Sequence, residues 1–132
     1  MKRLYILLLS LLIISCSNDD DSTNNSLVDL QGEWNLVNII GGFEGIDQDF
    51  ERGTIIWDFN ETDGTITVTN NSTITDVYNG LPSGTYDYSV MDSGGSDELI
   101  VNDINLGTFT VTSINLTIIP QFRDGFEIRF DR

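Results

Sequence analysis

The chain has 132 residues, of which 21 are acidic, six are basic and none is histidine, and its formal net charge at pH 7 is −15. Nucleic-acid binding requires lysine and arginine to displace counterions, so this charge argues against a nucleic-acid partner. Without histidine the chain also lacks an imidazole base and any histidine ligand for zinc.

Residues 1–15 have the pattern of a secretory signal. Lys2 and Arg3 precede an almost uninterrupted apolar run that ends at Ser15, as in signal peptides. The run is shorter than the roughly 20 apolar residues that a membrane-spanning helix needs. We therefore expect these residues to direct secretion, although a buried N-terminal helix would also account for them.

The segment Leu12-Ile13-Ile14-Ser15-Cys16 resembles the lipobox of bacterial lipoproteins. The resemblance implies cleavage before Cys16, the only cysteine, and its acylation with diacylglycerol and a further fatty acid such as palmitate. Several acyl chains form a durable membrane anchor, because each buried methylene contributes about 0.8 kcal/mol. The alternative is an ordinary secretory signal followed by a chance cysteine.

Residues 16–29 are predicted to be a lipidated cysteine and a disordered acidic tether, since residues 17–25 contain no apolar side chain. Asp19, Asp20 and Asp21 resemble the acid clusters that send lipoproteins of one large group of Gram-negative bacteria to the outer face of the outer membrane. The resemblance implies a surface-exposed protein of the cell outer membrane, whereas the other interpretation is a solvated linker. Cleavage would leave four arginines and a net charge of 4 − 21 = −17, which argues against docking on anionic lipid through a basic face.

Residues 30–132 are predicted to be a single all-β domain. Apolar and polar residues alternate, and the runs are rich in threonine, valine, isoleucine and aromatic residues. Strands are expected at 33–41, 53–60, 64–70, 84–91, 97–102, 105–112, 114–120 and 125–131, with a weaker one at 72–78. A helical turn could form only in residues 41–51. Many short strands joined by tight turns indicate a sandwich or an antiparallel barrel.

The alternation also predicts which side chains face the core. Residues at every second position of the strands are apolar and should face inward, and those at the positions between them are mostly polar and should face water. The expected inward set is Trp34, Leu36, Ile40, Ile55, Trp57, Phe59, Ile66, Val68, Tyr86, Tyr88, Val90, Leu99, Val101, Phe109, Val111, Leu116, Ile118, Phe126, Ile128 and Phe130.

The stretch "LQGEWNLVNII", residues 30–40, resembles the opening of lipocalin-like domains, with Gly32 and Trp34 at its centre. The resemblance implies an antiparallel up-and-down barrel of about eight strands. In that family the glycine permits a tight approach where the first strand begins, and the tryptophan plugs the closed end of the barrel. A generic strand start with one buried tryptophan is the other interpretation. The second lipocalin signature is not found intact, since "GTYDY" at 84–88 has a different residue order.

The same resemblance implies a basic side chain from the last strand packed over Trp34, a cation–π contact. Arg129 and Arg132 compete for this position. Arg132 shares the parity of the apolar residues of the last strand, whereas Arg129 has the outward parity. We therefore expect Arg132 to pack on Trp34.

Two classes of function are compatible with these features. A barrel of eight strands can hold one small apolar molecule in its mouth, and the resemblance to lipocalins favours this function. The candidate lining is Leu36, Ile40, Trp57, Phe59, Tyr86, Tyr88 and Phe109. Alternatively, the protein is a non-catalytic surface module that binds protein or glycan through its loops, with the barrel filled by its own side chains.

Enzymatic function, a cofactor and a metal site are not expected. Acid pairs such as Asp97 with Glu98 or Asp58 with Glu61 could act as acid and base, but 21 acids produce many such pairs by chance. Residues 92–98, "DSGGSDE", offer oxygen ligands for calcium. A hairpin loop built on Gly94 and Gly95 explains the same residues more simply.

Overall fold

The computed structural model describes residues 29–121 and 125–132. The predicted signal, Cys16 and the acid cluster lie outside these residues. The strands are β1 (Gly32–Gly41), β2 (Ile46–Asp49), β3 (Ile55–Asn60), β4 (Thr65–Asn70), β5 (Gly84–Asp92), β6 (Asp97–Val101), β7 (Ile104–Val111), β8 (Asn115–Ile119) and β9 (Glu127–Asp131). No helix occurs in the described residues, and the predicted all-β class is confirmed.

The strands close into a barrel. From β3 to β9 each strand pairs antiparallel with the next, and β9 pairs with one edge of β1. The other edge of β1 pairs with β3 along residues 32–35 and with β2 along residues 38–41. Because β2 and β3 share this edge, the result is an eight-stranded antiparallel up-and-down barrel with one short extra strand. The barrel, and not the sandwich, is the observed arrangement.

Up-and-down topology places alternate connections at opposite ends of the barrel. One end, which we name the terminal end, holds residues 29–31, Arg132 and the turns at 61–64, 93–96 and 112–114. The opposite end, which we name the loop end, holds the hairpin turn 42–45, the segment 50–54 and the loop 71–83. The described parts of the β8–β9 connection also lie at the loop end.

A bulge in β1 changes which of its residues face the core. The pairing between β1 and β9 includes Leu36 and Asn38 but omits Val37. The extra residue reverses the parity of the following residues, so that Ile39 is fully buried and Ile40 is partly exposed. The prediction that Ile40 faces the core was therefore wrong, because strict alternation takes no account of a bulge.

Most of the other residues predicted to face inward do form or contact the core. Val90 was wrongly placed inside, since it is 46% exposed. Its part of β5 has passed the stretch that pairs with β4 and is flanked in the register by β6 alone. Four apolar side chains of the core were not predicted: Leu30, Ile39, Phe50 and Leu106.

Two elements differ from the sequence prediction. Residues 72–78 form no strand and belong to the loop 71–83. Residues 46–49, within the stretch considered for a helical turn, form β2 and pair with β1. Its side chains alternate between half-buried and exposed, which is the period of a strand.

Candidate functional site

The terminal end is closed by Trp34. Its ring is fully buried, and its indole Nε1 donates a hydrogen bond to the Leu30 carbonyl at 2.9 Å. The Arg132 guanidinium carbon lies 3.8 Å from the centroid of the Trp34 ring. Arg132 also donates hydrogen bonds to the carbonyls of Asp29 at 2.8 Å and Gln31 at 3.2 Å. Arg132 thus contacts the Trp34 ring and, through its hydrogen bonds, the backbone of residues 29–31.

The other two residues considered for this end have different surroundings. Arg129 faces outward and pairs with Glu127 at 2.7 Å, and this hydrogen bond raises the pKa of Arg129. Gly32 has φ +100°, but a Cβ atom built on it would meet nothing within 4 Å. Its backbone angle therefore accounts for the glycine. The expected tight approach at Gly32 is not present within the described residues.

Loop 71–83 folds into the mouth of the barrel at the loop end. Its Gly80 is buried, and a Cβ atom there would lie 3.3 Å from Leu36 Cδ1 and 3.8 Å from Trp57 Nε1. Three partly buried side chains of the loop also pack on the core: Ile74, Tyr78 and Leu81. The loop therefore occupies the space in which a lipocalin-like barrel would be expected to receive a ligand.

The predicted ligand lining is filled by the protein's own side chains. Leu36, Trp57 and Phe59 each have 0% of their surface accessible. A void that held a water molecule beside them would leave some of that surface accessible. The Trp57 ring packs at 4.9 Å from Phe130, and Phe59 packs edge-on to Tyr88 at 5.1 Å.

The remaining predicted lining residues are dispersed. Tyr86 is partly exposed, and its hydroxyl donates to the Pro82 carbonyl at 2.7 Å. Burial raises the pKa of the Tyr88 hydroxyl, and the nearby Glu61 carboxylate raises it further. Phe109 lines a half-open groove of about 350 Å³ beside the β5–β6 turn. Ile40 is partly exposed and lies outside the core. The lining therefore does not form one cavity.

One polar atom in this packed layer has no partner. The indole Nε1 of Trp57 is buried and has no hydrogen-bond acceptor among the described residues. An unsatisfied buried donor costs about 1–3 kcal/mol. The other tryptophan, Trp34, is equally buried and satisfied by Leu30. The layer formed by Leu36, Trp57 and Phe59 is thus tightly packed, but the indole N–H of Trp57 makes no hydrogen bond within the described residues.

The hairpin turn 42–45 presents an aromatic side chain at the loop end. Phe43 at its tip is fully exposed. The neighbouring backbone is held in place, since Gly42 N donates to the Gly125 carbonyl at 3.3 Å and the Phe126 ring packs on Gly42. Positive φ angles at Gly41, Gly42 and Gly45 shape the turn.

No family model matches the chain, and no curated protein or solved structure matches it either. The barrel is consistent with the lipocalin-like architecture that the motif around Trp34 implied.

Two of the acidic residues considered as possible acid or base groups, Glu98 and Glu61, accept hydrogen bonds from neighbouring residues. Glu98 is buried, and its carboxylate accepts hydrogen bonds from Asn105 at 2.8 Å and Gln121 at 2.7 Å. Glu61 accepts a hydrogen bond from the Leu30 backbone at 3.2 Å. Across residues 29–121 and 125–132, no group of three or more acidic, histidine or cysteine side chains could hold a metal ion.

Residues 93–96 form the predicted hairpin turn. The Asp92 carboxylate accepts hydrogen bonds from the backbone of Gly94 at 3.0 Å and Gly95 at 3.3 Å.

Within residues 29–121 and 125–132, no helix is long and apolar enough to cross a membrane.

Three features of the site were not predicted. The exposure of Phe43 was not foreseen, although the glycines around it signal a tight turn. A weak strand was expected at residues 72–78, whereas these residues belong to the loop 71–83 that packs on the core. The unpartnered indole of Trp57 has no sequence signal, because it depends on which backbone the loop brings beside it.

Proposed function

We propose that this protein is a lipid-anchored, non-catalytic binding module of the cell envelope that docks on a partner protein through Phe43. The observation that carries the proposal is a fully exposed phenylalanine on a turn that is held against Gly125 and Phe126. Aromatic side chains dominate the binding energy of protein interfaces. A held turn also loses less conformational entropy on binding than a free one.

The charges around Phe43 indicate the chemistry of the partner. Glu44 follows it directly. Asp47 and Asp49 are exposed on the adjoining β2, where their carboxylates accept hydrogen bonds from the Asn38 side chain at 2.9 and 2.8 Å. An aromatic residue flanked by carboxylates complements an apolar pocket rimmed by lysine or arginine. The same carboxylates oppose docking on an anionic lipid surface.

The direction in which the chain enters the barrel supports this use of the loop end. Asp29, the first described residue, lies at the terminal end beside Arg132. A lipid on Cys16 and an export signal at Asp19, Asp20 and Asp21 would therefore tether the protein through the end opposite Phe43. We propose that it works at the outer face of the outer membrane, because Asp19, Asp20 and Asp21 resemble the surface-export clusters of such lipoproteins.

The expected binding of a small apolar molecule inside the barrel has less support. Leu36, Trp57 and Phe59 have no accessible surface, and Gly80 of the loop 71–83 packs on two of them. A ligand would reach this layer only after the loop moved. Docking through Phe43 requires no such movement.

The docking proposal can be tested by photo-crosslinking on living cells. A photoreactive amino acid is placed at position 43, and the control is position 114, an exposed isoleucine at the terminal end. We expect position 43 to form a specific protein adduct that position 114 does not form. The crosslinked protein is then purified and its affinity for Phe43→Ser and Ile114→Ser is measured.

Loss of a central aromatic anchor should weaken that affinity roughly 30-fold, since such residues contribute about 2 kcal/mol or more. Ile114→Ser should leave the affinity within about twofold. Equal crosslinking at both positions, or an unchanged affinity of Phe43→Ser, would show that Phe43 is not the docking anchor. Binding of glycans that depends on Phe43 would replace the protein partner with a carbohydrate.

The anchor is tested separately. We expect Cys16→Ser to abolish incorporation of labelled fatty acid and to release the protein from the membrane. Replacement of Asp19, Asp20 and Asp21 by alanine should retain the lipid but reduce protease accessibility on intact cells. Membrane retention of Cys16→Ser would contradict the anchor, and unchanged protease accessibility of the triple variant would contradict the export signal.

A further inference from the structure

A half-open groove follows the wall of the barrel between the β5–β6 turn and β7. We name it the β7 groove; it is formed by residues 95–97, residues 108–111 and Ile119, and its volume is about 350 Å³. Its origin is a difference in strand length. β7 pairs with β8 as far as Val111 but with β6 only as far as Phe109. Beyond Phe109 the turn 93–96 replaces the neighbouring strand, which leaves space beside β7.

The β7 groove is separate from the interior of the barrel. It adjoins the turn 93–96 at the terminal end, whereas the loop 71–83 covers the core at the loop end. Ile119 is 50% exposed, and Thr110 is exposed as well. Phe109 is only 5% exposed and offers the groove little surface. A molecule can therefore enter the groove from solvent without displacing any part of the core.

The polar side chains of the β7 groove are suited to accepting hydrogen bonds. They are one carboxylate and three hydroxyls, those of Asp97, Ser96, Thr108 and Thr110. None of these side chains makes a hydrogen bond or ion pair with another described residue. Carboxylate and hydroxyl oxygens all have lone pairs to offer a donor. No basic side chain is among the residues that line the groove.

Asp97 has no internal counter-ion among the described residues. The three arginines of this part of the chain have partners elsewhere: Arg52 pairs with Asp131, Arg129 pairs with Glu127, and Arg132 covers Trp34. Asp97 also lies directly opposite Asp92 across the β5–β6 pair. Like charges in this arrangement are destabilising. A cation bound at Asp97 would relieve that repulsion.

We propose that the β7 groove binds a free, small organic ammonium ion. The ammonium group lies on Asp97 and the neighbouring hydroxyls, and the apolar body packs on Ile119 and Val111. An ammonium group donates three hydrogen bonds and accepts none, which complements a lining that can accept at every polar side chain. The volume is at the lower end of the range of about 300–1,000 Å³ for small-molecule sites. The proposal is independent of docking through Phe43.

Other classes of ligand fit the β7 groove less well. An anion would meet no basic side chain there, in a chain with 21 acids and six basic residues. A neutral polyol would gain nothing from the charge of Asp97. A calcium ion takes about six to eight oxygen ligands, and no group of three or more acidic, histidine or cysteine side chains could hold a metal ion in residues 29–121 and 125–132.

The test is a titration of the full chain, as its cells produce it and labelled with nitrogen-15, followed by nuclear magnetic resonance at neutral pH and constant ionic strength. The probes are cyclohexylammonium, cyclohexanol, cyclohexanecarboxylate and calcium chloride. We expect cyclohexylammonium to move the backbone amide resonances of residues 95–97 and 108–111 in a saturable manner. The amides of residues 43–45, at the loop end, should not move.

Cyclohexanol and the carboxylate should bind more weakly than cyclohexylammonium, and calcium should not reproduce its shifts. Binding of cyclohexylammonium should also weaken as sodium chloride is added, because the groove is half-open and its charge is screened. Unchanged amides in the groove would overturn the proposal. So would equal binding of cyclohexanol, because the charge would then be irrelevant, or calcium binding with the same shifts.

A further probe separates a free amine from a lysine side chain of a partner protein. Nα-acetyl-lysine methylamide carries the same ammonium group on a flexible stem between two peptide groups. We expect it to bind more weakly than cyclohexylammonium, because ordering a flexible stem costs conformational entropy. Tighter binding of the lysine derivative would replace the free amine with a protein partner and would overturn the proposal.

Two carboxylate variants test the role of Asp97. Asp97→Asn keeps the shape of the side chain and removes a like charge opposite Asp92, so the variant should fold. We expect it to weaken cyclohexylammonium binding roughly fivefold, the effect of a partly exposed ion pair. The control is Asp87→Asn, which removes one charge from an exposed position of β5 outside the groove and should leave binding nearly unchanged. Equal weakening by both variants would assign the attraction to the net charge of the protein and would contradict the site.

Two isoleucine variants test the apolar wall. Ile119→Ser removes an exposed side chain of the groove, whereas Ile104→Ser removes one that is 61% exposed at the opposite end of β7. We expect Ile119→Ser to weaken cyclohexylammonium binding roughly two- to fivefold, since less apolar surface is covered. Ile104→Ser should have no effect. Unchanged binding by Ile119→Ser would show that the apolar body does not lie in the β7 groove.

Discussion

Trp34 combines three kinds of contact at one residue. Its ring is fully buried, its Nε1 bonds to Leu30 at 2.9 Å, and Arg132 covers its face at 3.8 Å. We expect Trp34→Ala to lower the free energy of unfolding by about 3–5 kcal/mol, since it removes a large buried ring and leaves a cavity. Urea unfolding of the variant and the parent protein measures the difference.

Arg132→Ala separates the covering cation from the buried ring. An exposed cation–π contact contributes about 0.5–1 kcal/mol, so this variant should lose much less stability than Trp34→Ala. A loss below about 1 kcal/mol for Trp34→Ala would mean that the ring does not close the terminal end.

These residues also show what a sequence can reveal about single side chains. The contact between Trp34 and a basic side chain was implied by the lipocalin-like resemblance of residues 30–40, and the parity of the last strand favoured Arg132 over Arg129. The state of Trp57 could not be derived in this way. Its burial follows from parity, but its missing acceptor depends on the path of the loop 71–83, which no periodic pattern specifies.

At the scale of the strand, the sequence predicts the period but not its interruptions. β1 alternates from Trp34 to Leu36, but the polar Asn38 then takes the inward parity. One such residue does not by itself specify a bulge at Val37. The bulge moves Ile39 inside and Ile40 outward. Because isoleucine occupies both positions, the sequence offers an apolar side chain to either parity, and only the pairing with β9 decides between them.

The hairpin between β1 and β2 depends on one close approach. A Cβ atom on Gly41 would lie 1.6 Å from the Gly125 carbonyl oxygen, whereas a Cβ atom on Gly45 would meet nothing within 4 Å. Both glycines have positive φ, of +114° and +68°. The two glycines therefore share a left-handed backbone conformation but differ in the space available for a Cβ atom.

We expect Gly45→Ala to cost about 1–2 kcal/mol, because alanine is strained in the left-handed region. Gly41→Ala should cost about 3 kcal/mol or more, since it adds a backbone clash to a conformation that is nearly restricted to glycine. Urea unfolding of the two variants provides the comparison. Equal losses would show that the contact between Gly41 and Gly125 does not hold the hairpin.

At the scale of the whole molecule, the strand pattern predicted the all-β class, and the resemblance supplied the closed barrel. The filling of the barrel could not be predicted from the residues that line it. Eight inward aromatic residues fit an open pocket or a packed core equally well. The outcome depends on the loop 71–83, whose residues contribute Gly80 and several half-buried side chains to the mouth.

The excess of acids acts on the whole barrel through self-repulsion. The repulsion between two carboxylates is strongest where the strands place them side by side. Glu33 of β1 lies directly opposite Asp58 of β3, and both are exposed. Like charges in such cross-strand pairs are destabilising, and opposite charges contribute about 0.2–1 kcal/mol. Stability should therefore rise with salt, since the screening length falls from about 30 Å at 0.01 M to about 3 Å at 1 M.

Asp58→Lys converts this repulsive pair into an attractive one. We expect it to raise the free energy of unfolding by about 0.5–1 kcal/mol in 0.01 M sodium chloride, measured by urea unfolding because urea carries no charge. Asp87→Lys is the control, since it changes the net charge equally but faces Thr65 across the strand pair. In 1 M salt the advantage of Asp58→Lys over Asp87→Lys should largely disappear. If the two variants gain equally in low salt, the effect belongs to the net charge of the molecule and not to the pair between β1 and β3.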